Sequence, residues 1–243
     1  GTFFTLRTLS KAITMSTPLF FASIIGAENF AIYSLSLSIV YLYYSVMIQT
    51  LKVPFVISAR EELKKNNNQN SSKSFLYGAH VIGFIGFGTI LFVFRDIILS
   101  YTSLPSELYR YILLVFISLS IQNIFESIFL ANNKKVLSAI YETTISFISI
   151  GVILAFYLRG NISLKEVFVS ISIPYLLSSF FFGIACLNLF IAKLTYSSEI
   201  FNRILNHTRW LILGSSAMFI INWGDSIILR IYVSLEEIGQ YTF

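Results

Sequence analysis

Long apolar runs separated by short polar breaks cover nearly the whole chain. They fall at roughly residues 1–26, 30–57, 75–99, 108–130, 136–158, 166–192 and 210–233. Each is long enough to cross a hydrocarbon core of about 30 Å, which takes about 20 helical residues. The runs do not alternate apolar and polar residue by residue, as barrel strands do. The pattern therefore predicts an all-α integral membrane protein with about seven transmembrane helices.

Composition agrees. Of 243 residues, 56% are hydrophobic and only 12% are charged, and the mean hydropathy is +0.75, which excludes an ordinary soluble domain. The basic residues then orient the chain. One set of loops carries Arg60, Lys64, Lys65, Lys73, Lys134, Lys135, Lys193, Arg203 and Arg209; the other carries only Arg95, Arg110, Arg159 and Lys165. The positive-inside rule makes the first set cytoplasmic and places the N-terminus there, with the protein multi-pass in the cytoplasmic (inner) membrane. Topology thus accounts for most of the net charge of +5, and no nucleic-acid partner is needed to explain it.

The longest polar stretch, "AREELKKNNNQNSSKS" at 59–74, has the low complexity of a solvated cytoplasmic linker. "RDIILSYTSLPSELYR" is a short outer loop. The lone Cys186 permits neither a disulfide framework nor a thiolate metal site, and His80 and His207 have no partner at ligand spacing. With no GxSxG, HExxH or phosphate-cradling Gly loop, the sequence points to no enzyme, metal or cofactor. Of the sequons at Asn70, Asn161 and Asn206, only Asn161 would face outward.

Several helices carry polar residues at helical spacing. Ser34, Ser38, Tyr41, Ser45, Gln49 and Lys52 form one stripe on the second, Ser118, Gln122 and Glu126 another on the fourth, Ser138, Glu142, Ser146 and Ser149 one on the fifth, and Ser215, Asn222 and Asp225 one on the seventh. Serines alone also suit close helix packing, since they bond back to the preceding turn. Ionisable groups are different, because each costs roughly 2.5–3.5 kcal/mol at a helix centre. Arg7 and Lys11 share a face of the first helix, about 9 and 15 Å in from residue 1. Pro18, Pro54 and Pro174 lie inside helices, where a missing N–H permits bending.

An internal repeat is also legible. Laying "IIGAENFAIYSL" at 24–35 on "YVSLEEIGQYTF" at 232–243 pairs Glu28 with Glu236 and Tyr33 with Tyr241, and Ala31 with Gly239 conservatively, at an offset of 208. Six helices separate the copies, so they run in the same direction, as in parallel repeats of six-helix halves. The expected division is residues 1–208 as a first six-helix lobe and 209–243 as the start of a second. The chain then reads as a fragment truncated at both ends, without a separable signal peptide.

The turn "IIGAENFAIYSLSLSIV" and the stretch "NWGDSIILRIYVSLEEIGQY", with an Asp in helix seven before an acidic-Gly-x-Tyr turn, resemble oligosaccharide and polysaccharide (O-antigen type) flippases of the multidrug/oligosaccharidyl-lipid/polysaccharide exporter superfamily. The chain departs from that pattern at Ala31, where Gly is more usual, and at Ser234, which has no Gly to match Gly26. The resemblance implies a two-lobe, alternating-access transporter. It would flip polyprenyl-diphosphate-linked oligosaccharide units from the inner to the outer leaflet for O-antigen (lipopolysaccharide) or capsule synthesis, with membrane lipid around it and a polysaccharide polymerase as neighbour. A cation-coupled multidrug antiporter of the same superfamily is the alternative.

On the flippase reading Arg7, Lys11 and Lys52, with Gln49, bind the diphosphate headgroup, since burying several negative charges needs cations placed in advance. Glu126 and Glu142 either neutralise those cations as structural ion pairs or bind Na⁺ or H⁺ during coupling. Asp225, about 24 Å along helix seven, is either an outer gate reaching the first lobe or a local salt bridge or cap.

Overall fold

The structure, a computed structural model, describes residues 2–160 and 162–242. Asn161, the outward sequon, lies outside the described residues. The helices are α1 (Thr2–Ile25), α2 (Ala27–Tyr43), α3 (Lys52–Asn66), α4 (Asn70–Val93), α5 (Arg95–Thr102), α6 (Tyr109–Ala131), α7 (Lys135–Leu158), α8 (Leu164–Ala185), α9 (Leu187–Phe190), α10 (Ser198–Tyr232) and α11 (Leu235–Thr242). No strand occurs among the described residues. Seven stretches are long and apolar enough to cross a membrane, one for each apolar run: Phe4–Ile25, Ala27–Asn66, Asn70–Val93, Ser106–Ala131, Lys135–Leu158, Leu164–Ala185 and Ser198–Tyr232.

The second span is 40 residues long and is not one regular helix. A π-helical turn (Tyr44–Ile48) and a 3-10 turn (Gln49–Leu51) join α2 to α3. Pro54 supplies a cause: it offers no N–H to the Thr50 carbonyl, and its ring crowds that carbonyl, so the preceding turn departs from α geometry. Pro18 and Pro174 interrupt neither α1 nor α8 as helices.

The stretch 59–74 is not the solvated linker expected. α3 runs on to Asn66, where Asn67 turns left-handed at φ 53° and donates its N–H to Leu63 O, and α4 begins at Asn70. Glu62, only 4% exposed, accepts the Ser71 and Ser72 N–H groups, each at 2.9 Å, through its two carboxylate oxygens. A helix start carries unpaired N–H groups and a partial positive charge, so a carboxylate there is stabilising. Asn and Ser content signals low complexity, but here the same residues open a capped helix.

The expected outer loop holds α5 and a 3-10 turn at Ser106–Leu108, tied down by the Tyr109 hydroxyl donating to Leu91 O at 2.6 Å. The sixth and seventh spans are joined by an extended segment, 191–197, laid across the start of α4. There Lys193 N donates to Asn70 Oδ1 and Thr195 N to Ser74 Oγ. α10 begins before its apolar run, capped by Ser197, so its first turns carry Arg203, which pairs with both Glu61 of α3 and Glu199.

The two copies of the repeat pack on each other. A methyl on Gly239 would meet the Ala27 carbonyl oxygen at 1.9 Å, so only glycine allows α11 this close to α2. Ala31, Leu35 and Ile238 form a buried cluster with Leu235 beside it. The offset of 208 carries Ala27 onto Leu235 and Ala31 onto Gly239, so the contact maps onto itself. The copies open differently: Gly26 turns at φ 80°, whereas Ser234 and Glu237 cap each other, Ser234 N donating to Glu237 Oε2 at 2.9 Å and Glu237 N to Ser234 Oγ at 3.3 Å. That exchange explains why Gly26 needs no glycine counterpart.

Candidate functional site

Arg7, Lys52, Glu126 and Glu142 converge from α1, α3, α6 and α7. Arg7 Nη2 lies 3.6 Å from Glu126 Oε1 and Arg7 Nε lies 3.6 Å from Glu142 Oε2, while Lys52 Nζ contacts Glu126 Oε1 directly. Hydroxyls hold α1 against α7 at this height. Ser10 Oγ lies 2.8 Å from Ser146 Oγ, and Thr143 Oγ1 donates to Leu6 O at 3.2 Å. Both carboxylate side chains are mostly buried, 10% exposed for Glu126 and 15% for Glu142. Two cations and two carboxylates therefore offset one another where a lone charge would be costly.

Lys11, one turn along α1 from Arg7, makes no ion pair among the described residues. It lines a cavity of about 390 Å³ together with Ser10, Thr14, Gln122, Glu142 and Tyr175. This chamber continues into a smaller one of about 100 Å³, the two sharing Thr14, Ile145, Ser146 and Tyr175 as walls. Ile13, Thr17, Pro18, Tyr33, Tyr41 and Ser149 are among the other walls of the smaller chamber. The charged residues of the larger chamber's wall are Lys11 and Glu142, and Glu142 already faces Arg7.

Gln49 is elsewhere. It lines a cavity of about 510 Å³ between the second span and α10, with Tyr41, Ser45, Ser215, Asn222 and Trp223. Every lining residue is uncharged. The Trp223 and Tyr41 rings stack at 5.6 Å with 23° between planes. The side chains of Gln49, Ser215 and Asn222 make no hydrogen bonds among the described residues, so their polar groups face the space. The sequence stripe assumed one α pitch; carried through a π turn and a 3-10 turn, it brings Thr50 and Val53 rather than Lys52 to this wall.

The serines divide similarly. Ser34 and Ser38 of the same stripe are buried in packing, Ser38 donating to Leu35 O at 2.7 Å, and Ser118 donates back to Leu114 O. Asp225 accepts from the Tyr241 hydroxyl at 2.7 Å and from its neighbour Ser226 N. The reach to the first six spans is made instead by Arg230, whose Nε donates to Tyr101 O at 2.8 Å and Nη2 to Ser103 Oγ at 3.1 Å. Tyr101 Oη returns a hydrogen bond to Ile227 O at 3.1 Å.

Sequence reasoning missed Tyr175 and Trp223, and it weighed Arg230 only as a poorly spaced partner for Asp225, not as the tie to Tyr101 and Ser103. An intramembrane Tyr beside Pro174 and a Trp beside Asn222 are aromatic groups with polar handles away from either end of their helix, and that was the available signal. His80 is buried with Nδ1 2.8 Å from Leu76 O, and among the described residues no three His, Cys, Asp or Glu side chains gather as a metal site would require. No protein-family model, curated protein or solved structure matches the chain.

Proposed function

We propose that this chain is the first lobe, with the start of a second, of an alternating-access transporter that moves polyprenyl-diphosphate-linked oligosaccharide across the membrane for surface polysaccharide synthesis. The observation that carries this reading is Lys11: an exposed cation without an ion pair among the described residues, lining an open chamber of about 390 Å³ with Ser10, Thr14 and Gln122. A diphosphate headgroup supplies the missing negative charge. The neighbouring uncharged cavity, with its free amides and stacked aromatics, suits a hydroxyl-rich sugar. The self-matching contact of α2 with α11 supports two related halves meeting at one end.

The test uses the gene encoding this chain, in its host. Deletion should cause polyprenyl-diphosphate-linked oligosaccharide to accumulate on the inner leaflet. Lys11→Arg should relieve that accumulation and Lys11→Ala should not. Absence of accumulation, or full rescue by Lys11→Ala, would sink the proposal.

One observation favours a second reading. Glu142 lines the same chamber as Lys11, as a coupling carboxylate in a cation-driven antiporter would. Efflux of cationic drugs that fails with Glu142→Gln but survives Lys11→Ala would select it.

A further inference from the structure

A cleft of about 350 Å³ opens at the surface of the bundle between α1 and α7, walled by Ala12, Ile13, Ser16 and Phe20 on one side and Ile150 and Leu154 on the other. Its hydroxyls are already used: Ser16 Oγ donates to Ala12 O at 2.9 Å and Thr17 Oγ1 to Ile13 O at 3.0 Å. The surface it offers is therefore apolar, and Leu154 remains 50% exposed along it. An apolar groove on a membrane-spanning helix suits a hydrocarbon chain.

The cleft is not isolated from the polar interior. It shares Ile13 and Thr17 with the 100 Å³ chamber, which shares four walls with the Lys11 chamber. Along α1 the lining thus passes from Phe20 through Thr17 and Thr14 to Lys11 in nine residues, about 14 Å of helix. An apolar groove leading through hydroxyls to a cation that makes no ion pair among the described residues has the shape and polarity of an amphiphile with a single chain and an anionic head.

We infer that the α1–α7 cleft seats the first isoprenoid units of the lipid carrier while its diphosphate reaches Lys11, so that the chain is held by the protein next to the headgroup and not left free in the bilayer. This rests on the flippase reading for the identity of the head. The cleft itself stands on its own walls.

The experiment titrates the purified protein in nanodiscs with inorganic diphosphate, farnesol and farnesyl diphosphate. The wild type should bind farnesyl diphosphate about tenfold or more tighter than diphosphate, because buried methylene groups add affinity. Ser16→Trp and Ile150→Trp, which fill the cleft from opposite walls, should abolish farnesol binding and bring farnesyl diphosphate close to the affinity of diphosphate. Diphosphate binding itself should be unchanged in both, which also reports that they are folded. If both tryptophan variants keep the wild-type preference, or the wild type has none, the cleft does not hold the chain. If diphosphate fails to bind, or binds Lys11→Ala as tightly as the wild type, the head site fails; Trp-sensitive farnesol binding would then still uphold the cleft.

Discussion

The chamber beside Lys11 and the cavity beside Trp223 lie on neighbouring parts of the same bundle yet differ in almost every physical respect. The first is walled by Glu142, which belongs with Arg7, Lys52 and Glu126 to a cluster whose charges lock four helices together. The second has no charged lining residue, and its polar groups are amides and hydroxyls with unused hydrogen-bonding capacity. Charges in a membrane interior are tolerated when they satisfy one another, so the first site is tied to stability as well as to the proposed ligand. Neutral polar groups cost less to leave open, so the second can change with little effect on the fold.

The largest expected effect breaks the charged site. Glu126→Leu strands Lys52 and loosens Arg7, and removing one partner of a buried pair costs about 3–5 kcal/mol, read as a fall in thermal unfolding temperature in nanodiscs. The double variant Glu126→Gln with Lys52→Gln should recover much of that loss. A Glu126→Leu protein as stable as wild type would erase the distinction between the two sites.

Smaller effects probe the neutral cavity. Trp223→Ala removes the stack on Tyr41, a contact contributing about 0.5–1.5 kcal/mol beyond area burial, and should leave diphosphate binding to Lys11 unchanged in titration. Gln49→Ala should shift stability by no more than about 0.5 kcal/mol while altering sugar discrimination in a transport assay. A loss of diphosphate binding in either variant would mean that the two spaces act as one site.

The smallest effect lies outside both sites. Hydrogen bonds from Ser234 hold the exposed Glu237 carboxyl below its usual range. A depressed carboxyl stabilises the folded form above the unfolded value, and that contribution disappears as pH falls through the folded one. Protection factors of the amides at 234–238, which correct for the slower intrinsic exchange in acid, should therefore fall as pH drops before those near Glu126 do.

The number and class of helices were legible because a span is encoded by a continuous apolar run, a signal that does not depend on partners. The charged cluster was legible in part, since Arg7, Lys52, Glu126 and Glu142 stand out against apolar surroundings. Their pairing was legible only as one of two alternatives, and which cation meets which carboxylate was not, because that depends on how α1, α3, α6 and α7 meet. Gln49 and Lys52 were placed together by assuming one helical pitch, and the π and 3-10 turns before Pro54 separate them. Glu62 was hidden for another reason: a polar, Asn-rich segment gives no hint that one carboxylate caps the next helix.

α10 has a mechanical consequence. It is fastened near one end by Arg203 to Glu61 and near the other by Arg230 to Tyr101, with the neutral cavity between. Those fastenings are 27 residues apart, about 40 Å along the axis. A rigid beam of that length pivoting by about 5° on one pin moves the other by about 3.5 Å, more than a hydrogen bond can stretch. A tilt of that size about one pin must therefore release the other or be followed by the long side chains that make it.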